Sequence, residues 1–135
     1  MNTIQGKKRV RRWRRGTAVV EMAVVSPLLF AMLFGIIEFG WLFCVQNTLV
    51  NASREGARVG CLRGASLDDM LETTQNFLTP MGLVEKATIN ITEATLDDPF
   101  VTVQITIPRA DVSLVGNFFG FTGGQLEGRT TMRQE

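Results

Sequence analysis

Residues 16–45 are mostly apolar, with two charges among them, Glu21 and Glu38. The sixteen residues 22–37 carry none. At ~1.5 Å per residue, a helix over 22–45 reaches about 36 Å, longer than the ~30 Å hydrocarbon core of a bilayer. It is too long for the apolar part of a cleaved secretory signal, and it ends in bulky residues, Trp41-Leu42-Phe43-Cys44-Val45. The pattern predicts a retained transmembrane helix. Pro27 lacks a backbone N–H and is expected to kink or loosen its first turns.

Polar residues return at Gln46, and the helix is predicted to continue over 46–63. Ala52, Gly56, Gly60 and Gly64 recur every four residues, so they line one side of that helix. Small residues at this spacing permit another backbone to approach closely. The approaching element is either the chain's own sheet or the helix of another subunit. Arg54, Glu55 and Arg58 are placed for an exposed i,i+3 ion pair, which contributes a few tenths of a kcal/mol.

Beyond residue 65 the period changes. Ser66 caps a helix with Asp68 and Asp69 in its first turn, and Pro80-Met81-Gly82 ends it. Ala87, Ile89 and Ile91 alternate with Thr88, Asn90 and Thr92. Val101, Val103, Ile105 and Ile107 alternate with Thr102, Gln104 and Thr106. Both are period-two strands with one buried face. Asp97-Asp98-Pro99 turns between them, which makes the pair antiparallel, and 126–132 supplies a third strand beside the second. Segment 112–121 is apolar, with Phe118, Phe119 and Phe121 around Gly116 and Gly120. It reads as a short helix, a membrane-touching loop or a partner surface. The fold expected is α+β: a long N-terminal transmembrane helix continuing into a small head with a short antiparallel β-sheet. The divisions are a basic leader (1–16), the transmembrane and extended helix (17–64) and an extracytoplasmic α/β head (65–135).

Charge fixes the orientation. Seven of the fourteen cations lie in residues 1–15 without an acid, leaving a net charge of −6 on residues 16–135. A basic arm beside an apolar run stays cytoplasmic. This places the N-terminus in the cytoplasm and the head outside, in a single-pass membrane protein. A nucleic-acid arm is disfavoured, since no aromatic-basic patch follows.

The 135 residues contain no histidine, which removes the commonest general base and metal ligand. Glu93, Asp97, Asp98 and Asp111 lack calcium-loop spacing. No nucleophile-base constellation, phosphate loop or zinc spacing is present, so neither an enzyme nor a cofactor is expected. Cys44 and Cys61, seventeen residues apart on one helix, are roughly 25 Å from each other and cannot pair within the chain.

The distinctive chemistry is at the start. Arg14-Arg15 is followed by Gly16, and five residues later by Glu21 at the mouth of the apolar run. Carboxylates are rare there. Glu21 is either a snorkelling carboxylate or the counter-charge of an α-amine released by a cut at the glycine. Glu38 marks the outer interface with Phe39, Trp41 and Phe43, or makes an intersubunit polar contact.

These residues resemble the TadE-like family of pseudopilins of the tight-adherence (Flp) pilus system. That family's N-terminus runs from a basic stretch through R-G and V-E to an apolar run with a proline, ending near E-F-G and then A-x-R-E-G-A-R. Here Arg15-Gly16, Glu21, Pro27, Glu38-Phe39-Gly40 and Ala52-Ser53-Arg54-Glu55-Gly56-Ala57-Arg58 match it, over about residues 14 to 60. The resemblance implies cleavage by a prepilin peptidase between Gly16 and Thr17, and assembly with other pilins or pseudopilins and the pilus machinery. Glu21 becomes residue five of the mature chain, one helical turn from a new α-amine of pKa ~7.7–8.0. The resemblance also implies a pilin-like form for the head, a bacterial inner membrane as the location, and functions in pilus biogenesis and surface adhesion, with membrane lipid as the other partner. The competing reading is an unprocessed signal-anchor protein whose exported head binds an envelope partner.

Overall fold

A computed structural model describes residues 11–62, 64–116, 120 and 123–134. The basic stretch before residue 11 lies outside the described residues, as do Phe118, Phe119 and Phe121 of the apolar segment 112–121. Helix α1 runs Arg11–Gly60, and α2 runs Leu67–Leu78. Two 3-10 turns follow, Thr79–Met81 and Val84–Lys86. Then come β1 (Thr88–Thr92), β2 (Phe100–Pro108), the one-turn helix α3 (Arg109–Val112) and β3 (Gln125–Arg133). The chain divides into two units, Met1–Ile37 and Glu38–Glu135.

In the first unit, residues 16–37 of α1 have no buried side chain. Val19, Val24, Leu28, Phe30, Met32 and Ile36 are all more than half exposed, and the helix continues through Pro27. An apolar helix without a stripe facing a core matches a bilayer environment better than water. Among the described residues, one helix is long and apolar enough to cross a membrane.

In the second unit the same helix acquires a buried face. Leu42, Val45, Leu49, Ala52, Ser53, Gly56, Ala57 and Gly60 are buried, at the three- and four-residue spacing of one stripe. The residues 41–45 at the end of the apolar run are thus shared with the head, where Leu42 and Val45 belong to the core. Facing them is a three-stranded antiparallel sheet in the order β1-β2-β3. Central β2 buries Val101, Val103, Ile105 and Ile107, the alternate set expected from period two. Helix α2 adds Met70, Thr74 and Leu78.

The start of α2 is fixed by its own sequence. Ser66 Oγ accepts the Asp69 N–H at 3.2 Å, and the Asp69 carboxylate accepts the Ser66 N–H at 2.9 Å, which closes a capping box. Those bonds, from the Ser66 backbone and hydroxyl, hold the Asp69 carboxyl below its ordinary value.

The four-residue stripe stops short of the expected length. Helix α1 ends at Gly60, and Gly64 lies beyond it in a turn with φ +87° and open space around its Cβ direction. A left-handed glycine after a helix terminates it, so Gly64 acts in the turn and not on the helix face.

Candidate functional site

Gly16, Thr17 and Glu21 all lie on α1 and are exposed. A Cβ placed at Gly16 meets nothing within 4 Å, so the glycine is not required by packing. Glycine weakens a helix by about 0.8–1.0 kcal/mol relative to alanine, which eases local opening of the backbone there. Thr17 and Glu21 are four residues apart, the spacing that brings two side chains onto one helix face. Pro27 and its neighbours Leu28 and Leu29 are exposed on the same uninterrupted helix.

Glu38 has its partners within its own chain. One carboxylate oxygen accepts the N–H of Leu114 at 2.9 Å and that of Val115 at 3.0 Å. Two successive N–H groups aimed at one anion form a small backbone nest, reached from a side chain 76 residues away. Three residues along α1, Trp41 donates its indole N–H to the Val112 carbonyl at 2.8 Å. Phe39 and Phe43 remain exposed. The turn at 112–115 is thereby tied to the first two turns of the second unit's helix. Its signal in sequence was weak, because nothing local marks Leu114 and Val115 as donors to residue 38.

The small residues of α1 are used inside the chain. A Cβ at Gly56 would collide with the Thr74 hydroxyl of α2. One at Gly60 would collide with Met70 of α2 and come within 2.8 Å of Val101 on β2. Ala52 is fully buried in the same core. Both α2 and the sheet therefore approach this stripe. A further close approach was not anticipated from sequence: Gly128 of β3 abuts the backbone of Leu49 and Val50. Hydrogen bonds flank that contact. Gln46 Nε2 donates to the Glu127 carbonyl at 2.7 Å, and the Ser53 and Thr130 hydroxyls bond at 2.8 Å.

Arg58 and Glu55 pair at 2.6 Å, the i,i+3 contact read from sequence, and the carboxylate pushes the guanidinium pKa further up. Cys44 and Cys61 are both free thiols. Among the described residues no cluster of His, Cys, Asp and Glu is arranged to hold a metal.

Neither a curated protein nor a solved structure gives a significant match to the chain. A family model does: that of TadE-like protein matches residues 16–58. The matched stretch begins at Gly16 and contains Thr17, Glu21, Pro27, Glu38, Ala52 and Gly56, while Gly60 lies just past its end. The family is structural and non-enzymatic, and it points to tight-adherence pilus systems. Over residues 16–58, this chain is similar to the TadE-like family.

Proposed function

We propose that this protein is a pseudopilin-type subunit of tight-adherence pilus biogenesis, serving surface adhesion and matured by prepilin peptidase cleavage between Gly16 and Thr17. The observation that carries the reading is the start of the helix. A family match begins at Gly16, and an exposed glutamate follows five residues later on a helix with no buried side chain through residue 37. Cleavage creates a cationic α-amine on Thr17. In lipid an isolated charge is expensive, and a neighbouring opposite charge reduces that cost. Glu21 supplies it from one turn away or from a neighbouring subunit at the same depth. The cations of residues 7–15 hold the cut site at the cytoplasmic face of the inner membrane and leave with the leader. The C-terminal head is extracytoplasmic, and the partners are lipid, the peptidase, other pilins or pseudopilins and the assembly machinery. The exposed parts of α1 are available to those subunits.

Two variants test the role in cells. Gly16→Arg is expected to leave the leader attached and abolish piliation. Glu21→Ala is expected to be cleaved but to assemble poorly, lowering pilus counts. Wild-type piliation in both variants would contradict the role.

A further inference from the structure

Glu38 follows directly on Ile37, the last residue of the fully unburied apolar stretch. Its carboxylate holds Leu114 and Val115 by their N–H groups. The turn that begins at Ser113 is therefore fixed at the level of α1 where the head starts. Leu114 is 58% exposed there, although the buried core of the head is close by at Val112. Phe39 and Phe43, 63% and 68% exposed, lie within about 8 Å of the same level along the helix axis. Three large apolar side chains are thus presented at one end of the head.

We propose that this end of the head is seated in the membrane, with Leu114 inserted into the headgroup–acyl boundary beside α1 as a second, shallow contact. The inference rests on the reading that residues 17–37 span the bilayer. Those twenty-one residues extend about 31 Å, which brings Glu38 to the outer edge of a ~30 Å hydrocarbon layer. A carboxylate at that edge is stabilised by two N–H donors, and the loop that provides them is thereby held in the interface. Apolar side chains in such a position enter about 5–10 Å into the boundary. The occupant is lipid because Glu38, which holds the turn, follows directly in sequence on an apolar segment that has no buried side chain over residues 16–37. The cations nearest the turn are engaged within the chain, which argues against an electrostatic contact: Arg109 acts on the Glu38 carboxylate, and Lys86 Nζ donates to the Asp111 carbonyl at 2.9 Å. The contact sets the depth of the anchor and fixes the head against the bilayer.

The test uses the full chain in phosphatidylcholine vesicles with brominated acyl chains. Cys44 and Cys61 are replaced by alanine, and an environment-sensitive thiol fluorophore is placed by Leu114→Cys, Leu96→Cys or Phe30→Cys. Leu96 is the matched control, a fully exposed leucine in the β1–β2 loop. That loop is at the opposite end of the head, where Gln134 bonds both Pro99 and Gly60, about 33 Å along α1 from Glu38. The proposal expects blue-shifted, quenched emission at 114, quenching by shallow bromines exceeding that by deep ones, no salt dependence and no quenching at 96. Quenching at 30 with none at 114 overturns the seating and leaves the span intact; the Leu114 face would then meet a protein subunit. Absence of quenching at both 30 and 114 overturns the span and the seating together.

Discussion

At the scale of single residues, two carboxylates organise backbone that would otherwise lack partners. Glu38 satisfies two N–H groups of the 112–115 turn, and charge-assisted bonds of this kind are roughly twice as strong as neutral ones. Glu38→Leu keeps the apolar character of the helix and removes the acceptor. Amide hydrogen exchange at Leu114 and Val115 is expected to accelerate, with that of β2 unchanged; unaltered protection at 114 and 115 would contradict the nest. Asp69 does the corresponding work at the start of α2. Its folded pKa is lowered, so its contribution is complete above the ordinary aspartate value of ~3.9 and is lost as the pH falls through the lowered value. The melting temperature of the detergent-solubilised chain is expected to fall on acidification through this range. Asp69→Asn should reduce that part of the pH dependence, and an unchanged profile would remove Asp69 from the account.

At the scale of elements, α1 changes character along its length. From Gly16 to Ile37 it has no buried face, whereas from Leu42 to Gly60 it is one wall of the head's core. Strand β3 meets the backbone of α1 at Gly128, where any Cβ meets the Leu49 carbonyl. Gly128→Ala forces the strand off the helix and is expected to destabilise the head by about 1–3 kcal/mol, measured by urea unfolding in detergent. Leu49→Ala leaves a cavity at the same contact and is expected to cost about 2–5 kcal/mol. The helix, the cap at Ser66 and all three strands were legible in sequence, because each is specified by local spacing or a cap. Gly128 was not, since the reason for a glycine there lies on an element 78 residues earlier. Nor was the bond from Trp41 to Val112, which draws into the head a residue placed in an aromatic belt by its neighbours. Gly64 fitted the four-residue stripe by position, but its left-handed backbone places it after the helix.

At the scale of the whole molecule, the information about function is concentrated in the helix. The family match covers residues 16–58 and none of the sheet. The residues assigned to processing and assembly were visible in the sequence because they are defined by order along the chain: a basic block, a glycine, a glutamate and an apolar run. Their roles depend on a cut and on neighbouring subunits, which one intact chain does not contain. The most direct measurement is therefore the mass of the protein extracted from membranes of cells with and without the prepilin peptidase. The account predicts a chain beginning at Thr17 when the peptidase is present and an uncut Met1–Gly16 leader when it is absent. An intact leader in both would contradict processing and leave a signal-anchored envelope protein in its place.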